Sequence, residues 1–232
     1  MSDGRKLQAR DLARVACASC EGCGECCRGM GDSILLDPWD VFHLTNGLGR
    51  SFEDLLSKEV DLVLGRGVIL PHLSMKKQDE TVSSGANGSG AISSNMSMKE
   101  EACAFLGEDG RCQIHAFRPG LCRLFPLGRQ YHDGGFSYFV LPAACPGKTR
   151  TKVRISSYLD VPELPAYEAF LLSWHDFLAK LRKKFSDTEA ADFKEKCMVL
   201  LKVFYLLPYD GTKDFYLQYR RRLKKAETLL LV

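Results

Sequence analysis

Apolar residues are arranged most regularly in the C-terminal part of the chain. Beyond Pro165 they recur at alternating steps of three and four, a spacing that places them on one face of an α-helix. One such stripe runs from Tyr167 to Phe185 and a second from Phe193 to Leu207, and a third helix is predicted from about Thr212 to Ala226. The pattern predicts three amphipathic helices that bury their apolar faces against one another or against the rest of the chain.

The N-terminal half mixes short helical and extended patterns. The segment Arg5 to Ala16 is interpreted as a short mixed helix. A helix is predicted from Asp37 to about Asn46, because Asp is a good N-cap and Pro38 suits the first helical turn. A capping-box-like start at Ser51 predicts a second helix through about Lys58. The β-branched and Leu residues of Val60 to Leu73 predict a hairpin or an extended pair.

Two further extended pairs are predicted around turn signals. Cys103 to Ile114 has the sequence of a hairpin that turns at Glu108-Asp109-Gly110. Leu127 to Tyr131 and Phe136 to Leu141 are joined by Asp133-Gly134-Gly135, which favours a second hairpin. Both pairs have cysteines in or beside them.

The segment at about 76–99 is polar and rich in Ser and Gly, and it has too few apolar groups to offset the entropy of ordering it. It is interpreted as a flexible insertion. The chain is therefore predicted to be an α+β protein, with a small mixed domain of short strands over residues 1–160, which includes the insertion, and a helical C-terminal region over residues 161–232.

Composition narrows the choice of partners. The 232 residues are 45% hydrophobic, enough for a real core, and their net charge of +3 does not indicate a nucleic-acid or anionic-membrane partner. The longest apolar stretch, Met198 to Leu207, is interrupted by Lys202 and is too short to span a bilayer. Because the N-terminus also lacks an apolar leader, a cytoplasmic location and no membrane association are expected.

Ten cysteines are the feature that indicates chemistry. Disulfides are rare in a reducing compartment, so a dense cysteine pattern there favours metal binding or redox chemistry. A first group follows a CxxCxxCC spacing, and its glycines permit the tight turn that brings thiolates to one centre. Its members are Cys20, Cys23, Cys26 and Cys27. Cys17 just before it is ambiguous and is not included.

A second group of cysteines is dispersed over predicted turns and strand ends, where the fold can bring side chains together. Its members are Cys103, Cys112, Cys122 and Cys145. Cys197 is different, because it lies on a helical apolar stripe between Phe193 and Leu200 and is predicted to be a buried core residue.

These motifs resemble the bacterial and archaeal YkgJ-type cysteine-cluster family, a zinc- or iron-chelating domain. The resemblance rests on the run from Cys20 to Cys27, on Cys103-Ala-Phe-Leu106, and on the block from Cys112 to Pro126 that contains Arg118-Pro119 and Cys122-Arg123. It covers about residues 17–150. His115 stands where the family usually has Tyr, and the insertion lengthens the segment before Cys103.

The resemblance implies a metal centre whose ligands are the eight cysteines of the two groups: Cys20, Cys23, Cys26, Cys27, Cys103, Cys112, Cys122 and Cys145. It does not imply one reaction, and no catalytic residue is predicted. Some similar proteins are flagellin lysine N-methylases, so a cluster-dependent protein lysine N-methyltransferase is the alternative to a metal-binding accessory protein.

Thiolate ligands suit both zinc and iron-sulfur centres. Three closely spaced cysteines plus the remote Cys145-Pro146 resemble a ferredoxin pattern, which favours an iron-sulfur cluster, of the 4Fe-4S type, over zinc. Adjacent residues of an extended chain point to opposite sides, so Cys26 and Cys27 are expected to diverge, and two four-cysteine sites are an open alternative.

Two arginines, Arg118 and Arg123, are placed near the predicted centre by the spacing. They are expected to compensate thiolate charge or to hold an anionic substrate. The first domain has little else to stabilise it, whereas structural zinc contributes about 10 to 16 kcal/mol of apparent folding free energy. Metal binding is therefore expected to be coupled to folding.

Overall fold

The structure is a computed structural model that describes residues 4–15, 24–65, 67–77, 101–141, 151–186 and 188–231. The predicted insertion lies outside the described residues from position 78 to position 99.

The strands in this part of the chain are short and pair into four separate two-stranded antiparallel sheets. They are β1 (Leu12–Val15), β2 (Val60–Gly65), β3 (Val68–Leu73), β4 (Met75–Lys77), β5 (Glu101–Cys103), β6 (Leu127–His132), β7 (Gly135–Val140) and β8 (Thr151–Arg154). The β2–β3 and β6–β7 pairs are hairpins, which confirms both predictions. The β4–β5 and β1–β8 pairs join segments that are distant in sequence.

The helices complete an α+β fold, as predicted. They are α1 (Pro38–Leu48), α2 (Phe52–Leu55), α3 (Gly120–Leu124), α4 (Ile155–Leu159), α5 (Leu164–Phe185), α6 (Ala190–Leu201) and α7 (Phe215–Leu230). A π-helical turn, Lys202–Leu206, continues α6 and completes the second apolar stripe. Among the described helices, none combines the length and the apolar character needed to cross a bilayer.

The two short N-terminal helices begin at the predicted caps. The Asp37 carboxylate accepts a hydrogen bond from the Asp40 backbone N–H, and the Asp40 carboxylate accepts one from the Asp37 N–H. Ser51 and Asp54 form the same reciprocal pair at the start of α2. That helix ends at Leu55, earlier than predicted, because the chain turns there to form a bridge between Leu56 and Val60.

The helix predicted over Arg5 to Ala16 is wrong. Leu12–Val15 forms strand β1, in which buried Ala13 and Val15 alternate with exposed neighbours. Its partner is β8, with Leu12 opposite Arg154 and Val15 opposite Thr151. Four residues are too few for period-two burial to stand out in the sequence, and the strand that selects the extended form lies far along the chain.

The predicted hairpin from Cys103 to Ile114 is present in a minimal form. A single antiparallel bridge joins Leu106 to Cys112 across the predicted turn, and the Gln113 N–H donates to the Phe105 carbonyl over 2.9 Å. Cys103 lies outside this short pairing and ends strand β5, which pairs with β4 so that Cys103 lies opposite Met75. The turn signal is therefore confirmed, while the non-local strand β4 takes the first residue of the predicted hairpin.

Aromatic side chains from the three long helices form the centre of the core. The Trp174 and Phe204 rings lie 4.9 Å apart, and the Phe170 and Tyr219 rings lie 4.7 Å apart. The Tyr205 hydroxyl donates to the Leu36 carbonyl, which ties the π-helical turn to the start of α1. Buried residues on both sides of position 161 belong to one hydrophobic core, and the domain boundary stays a prediction.

Three helices meet where α3 begins. The Gly120 N–H donates to the buried Asp40 carboxylate over 2.7 Å, which joins α3 to α1. A Cβ atom on Gly120 would meet the hydroxyl of Tyr167 on α5, so only glycine allows this close approach. The Tyr167 hydroxyl is buried and has no hydrogen-bond partner in the described part of the chain.

We expect Gly120→Ala to destabilise the protein by about 1 to 3 kcal/mol, because the added methyl group overpacks the contact with Tyr167. Tyr167→Phe removes the clashing hydroxyl and should be nearly neutral by itself, since that hydroxyl makes no hydrogen bond. Urea unfolding of both single variants and the double variant measures the coupling. If Tyr167→Phe does not reduce the cost of Gly120→Ala, the contact between these two residues is not the cause.

Candidate metal centre

The first cysteines with described positions lie on a tight turn. Cys26 and Cys27 belong to a 3-10 helix, Glu25–Cys27, that follows Gly24 in a left-handed conformation with φ of 61°. That backbone conformation strains residues with a Cβ, so glycine is the residue that fits here. The Cys27 N–H donates back to the Gly24 carbonyl over 2.9 Å. The turn therefore presents two neighbouring thiols on one compact piece of backbone.

Backbone hydrogen bonds join this turn to the strand that contains Cys103. Arg28 forms a bridge with Ala102, and the Gly29 N–H donates to the Glu101 carbonyl over 2.9 Å. The Ala104 N–H in turn donates to the Ser74 carbonyl over 3.0 Å. Cys103 is thus held beside the Cys26–Cys27 turn by pairing on both sides.

The last two described cysteines of the predicted set come from a loop and a helix. Cys112 is fixed by its bridge to Leu106 and by the Gln113 N–H, which donates to the Phe105 carbonyl over 2.9 Å. Cys122 lies on α3, whose first residue is anchored to Asp40. Cys112 and Cys122 are therefore held in place by two separate sets of contacts.

All five of these cysteines line one cavity: Cys26, Cys27, Cys103, Cys112 and Cys122. Apolar side chains such as Ile34, Leu73 and Ile114 form much of its wall. The other predicted ligands, Cys20, Cys23 and Cys145, lie outside the described residues, as does Cys17. Cys197 does not line the cavity and is fully buried in the core, where the sequence predicted it.

The expectation that Cys26 and Cys27 diverge is wrong. Their Sγ atoms are 3.8 Å apart and line the same cavity. The expectation assumed an extended chain, in which successive side chains point to opposite sides. Residues 25–27 instead form a 3-10 turn, in which successive side chains are only about 120° apart around the axis. Both thiols are therefore available to the same centre.

Hydrogen bonds among three thiols shift their pKa values in opposite directions. Hydrogen bonding to Cys27 lowers the pKa of Cys26 to about 7 and lowers the pKa of Cys112 to about 7. The same hydrogen bonds, first to Cys112 and then to Cys26, raise the pKa of Cys27. Cys27 therefore keeps its proton as donor, while its two neighbours have thiolate character.

The deeper thiols behave differently. Burial raises the pKa of Cys103 to about 11 and raises the pKa of Cys122 well above its usual value, and the charges of nearby cysteines add to both effects. Because thiolates are the metal-binding form, a cation must offset this burial when all the thiols are deprotonated. A bound metal would therefore stabilise this cluster of deprotonated thiols, whereas water alone would not.

One of the two predicted arginines lines the cavity. Arg118 lies in its wall, its positive charge lowers the pKa of both Cys26 and Cys112, and its Nη1 hydrogen-bonds His115 Nε2. The Arg118 Nε is buried and has no hydrogen-bond partner among the residues that the structure describes. A buried donor without a partner fits a negatively charged group in the cavity.

The other arginine has a structural role. Arg123 does not line the cavity, and its guanidinium donates to the carbonyls of Arg118, Ala116 and Asp160. It lies 5.9 Å from the centroid of the Trp39 ring. Arg123 thereby fixes the loop that carries Arg118, and the expectation that it also compensates thiolate charge or holds an anionic substrate stays a prediction.

Tyr158 is a cavity residue that sequence reasoning missed. It lies on α4, far along the chain from the cysteine motifs, and its hydroxyl donates to the Phe125 carbonyl over 2.5 Å. No local signal identifies it, because only the packing of α4 against α3 brings it to the cavity wall.

The donor set fits a soft metal. Thiols outnumber every other metal-ligating group in the cavity wall, which suits zinc or iron better than magnesium or calcium. Taken alone, the described residues include no group of three His, Cys, Asp or Glu side chains already placed to hold a metal ion. The predicted set also includes three cysteines outside those residues.

The fold and the cysteine-lined cavity define a small α+β protein of the metal-chelating class. A family model described as "CxxCxxCC: Putative zinc- or iron-chelating domain" matches residues 19–146, more than half of the chain. The chain therefore belongs to the CxxCxxCC family, which confirms the resemblance seen in its motifs. Neither the curated proteins nor the solved structures contain a match.

We expect Cys122→Ser to lower the metal content of the purified protein several-fold, because a hydroxyl is a poor ligand for a soft metal. Cys197→Ser is the matched control: it changes another helical cysteine by the same atom, outside the cavity. Elemental analysis should show an unchanged metal content per chain in Cys197→Ser, although the buried hydroxyl lowers the stability of that variant by about 1 to 3 kcal/mol. Equal metal loss in both variants would contradict the assignment.

Proposed function

We propose that this chain holds an iron-sulfur centre through the eight cysteines of its two groups, with Cys20, Cys23 and Cys145 completing the ligand set. The observation that carries the proposal is the convergence of five cysteines from separate segments on one cavity, while Cys197 packs elsewhere. Chance placement of buried cysteines would not sort them in this way.

The spacing of the cysteines supports iron-sulfur over zinc, and the donors and walls of the cavity are compatible with that choice. His115 is the histidine of the wall, and its Nε2 is already engaged by Arg118. Apart from the Glu25 carboxylate, the remaining potential ligands are thiols. Thiols suit both metals, but the ferredoxin-like spacing of Cys20, Cys23 and Cys26 adds weight to iron. Apolar walls limit solvent access, a factor that sets the reduction potential of such centres. A bound iron-sulfur centre supplies one-electron transfer.

Within this proposal Arg118 compensates charge. It lies in the cavity wall with the thiols, its charge lowers the pKa of Cys26 and Cys112, and its unpartnered Nε gives it a donor to spare. Hydrogen bonds and positive charge near the sulfur ligands stabilise the more reduced, more negative state of a cluster. Arg118 is therefore a positioning and charge-compensating residue.

Protein purified without oxygen should contain iron and acid-labile sulfide, both of which chemical assays quantify. We expect its absorption spectrum to show the broad visible charge-transfer band of thiolate-bound iron. Removal of the metal by a chelator should unfold the N-terminal region, because the buried thiols then lose the cation that offsets their charge. Far-ultraviolet circular dichroism before and after chelation measures that loss.

Two results of these metal and sulfide assays would separate the parts of the proposal. Stoichiometric zinc without sulfide would replace iron-sulfur by zinc and leave the cysteine site in place. Fully folded protein without any metal would contradict the metal centre itself.

Arg118→Ala should shift the midpoint reduction potential to a more negative value at unchanged iron content, because a cation beside the thiolates is lost. A loss of about 1 kcal/mol corresponds to roughly 40 mV for a one-electron couple. Arg111→Ala is the control, since Arg111 is exposed and its charge is screened by water. Redox titration of the two variants decides the point, and equal shifts would show that net charge alone is responsible.

The alternative function, a protein lysine N-methyltransferase, stays a prediction. Calorimetric titration of the metal-loaded protein with S-adenosylmethionine distinguishes it from an accessory metal protein, because tight binding of that methyl donor would favour the enzyme.

A further inference from the structure

Strand β2 lies at the outside of its sheet. On the far side of its partner β3, residues 34–36 run alongside the sheet. The Leu36 N–H donates to the Pro71 carbonyl over 2.8 Å, and the Leu73 N–H donates to the Ile34 carbonyl over 3.0 Å. Strand β3 therefore has neighbours on both sides, whereas β2 has β3 on one side and an open edge on the other.

The backbone hydrogen bonds at the start of β2 show which groups face this open edge. The Val60 carbonyl accepts from the N–H of Ser57, which precedes the strand, over 2.8 Å, so it points away from β3. Successive residues of a paired strand direct their backbone groups to alternate sides. The N–H and C=O groups of Leu62 and Leu64 therefore also point away from β3, and no described residue pairs with them.

The side chains of the same two residues form an apolar patch beside the open edge. Leu62 is 45% exposed and Leu64 is 65% exposed, and residues two apart in a strand lie on the same face. Natural proteins usually protect an edge strand with lysine, other charged side chains or proline. Strand β8 carries such charges in Lys152 and Arg154, but Asp61 is the one charged residue of β2.

Strand β2 is complementary to a second copy of itself in one antiparallel register. If Val63 of two copies lies on a twofold axis perpendicular to the sheet, Leu62 of each copy lies opposite Leu64 of the other. Each of these leucines can then exchange both backbone hydrogen bonds with the residue opposite it. Asp61 comes opposite Gly65 of the other copy, so no like charges meet across the pair.

The neighbouring registers fit less well. An axis at Asp61 would place two carboxylates opposite each other. An axis at Leu62 would require the Val60 carbonyl, which already accepts from Ser57. An axis between two residues would set groups that point outward against groups that point to β3. The Val63 register avoids all three conflicts.

We propose that two copies of this chain form a symmetric dimer through β2, with the two strands antiparallel about Val63. The contact joins two β2–β3 hairpins into one continuous sheet and packs the exposed leucines of the two strands together. A symmetric contact occupies the open β2 edge of both copies, so assembly stops at two. Small interfaces are usually weak, so a dissociation constant in the micromolar range is expected. Neither Leu62 nor Leu64 lines the cysteine cavity, so dimer formation does not depend on the metal centre.

The test is analytical ultracentrifugation of the intact protein, as purified, across the micromolar concentration range. We expect an equilibrium between monomer and dimer, without larger species. Amide hydrogen exchange measured by mass spectrometry should slow over residues 60–65 as the protein concentration rises, because the N–H groups of Leu62 and Leu64 become hydrogen-bonded in the dimer.

Two substitutions separate edge pairing from folding. Leu64→Pro removes an N–H that does not face β3, so it should leave the hairpin in place and remove hydrogen bonds to the second copy. Leu64→Lys puts a charge on a side chain that is already exposed, as natural edge strands do. Each should raise the dissociation constant at least ten-fold while the far-ultraviolet circular dichroism stays unchanged. Leu217→Lys is the control, because it makes the same change at a leucine that is 52% exposed on α7, and it should dimerise like the unaltered protein.

Three results would overturn the proposal. A protein that stays monomeric throughout the concentration range would mean that the β2 edge does not bind a second copy. A dimer that neither Leu64 variant weakens would place the interface elsewhere on the molecule. Assembly beyond two copies would contradict the symmetric contact, because a closed pair leaves no β2 edge for a third chain. None of these results depends on which metal the protein contains.

Discussion

The hydrogen bond from the Gly120 N–H to the buried carboxylate of Asp40 holds the helix that carries Cys122 in place. It joins residues 80 positions apart and fixes the start of α3 against α1. The same carboxylate also accepts from the Asp37 N–H in the capping box of α1, so one side chain stabilises the start of both helices. An unpaired carboxylate at this depth would cost several kcal/mol, which makes the contact hard to replace. The orientation of Cys122 follows from it.

The cysteine region is built from sheets that have only two strands each, and such sheets are marginally stable by themselves. Its thiols add to the difficulty, because burial opposes the ionisation of Cys103 and Cys122. The helical region has the opposite character, with aromatic rings such as Trp174 and Phe204 in direct contact. One hydrophobic core connects the helical region to the cysteine region. We propose that bound metal supplies the rest of the stability of the cysteine region.

How far the sequence predicts this protein depends on how local each signal is. The helices from α5 to α7 and the two hairpins were predictable, because periodicity and turn residues act within a few positions. Strand β1 was not, since its partner lies beyond residue 150. The convergence of Cys103, Cys112 and Cys122 was implied by the family resemblance. The separate roles of Arg118 and Arg123 were not, because side-chain direction depends on packing around α3 and α4.

The pairing of β1 with β8 has a consequence for the order of folding. Val15 lies opposite Thr151, so all eight predicted ligand positions fall inside the loop that this pair closes. Closing a loop of that length by strand pairing alone has a large entropic cost, and the four-residue strands form few contacts to offset it. Any cross-link within the loop shortens the path between its ends. Metal capture by the cysteines should therefore precede the β1–β8 pairing, and the two termini of the cysteine region should join last.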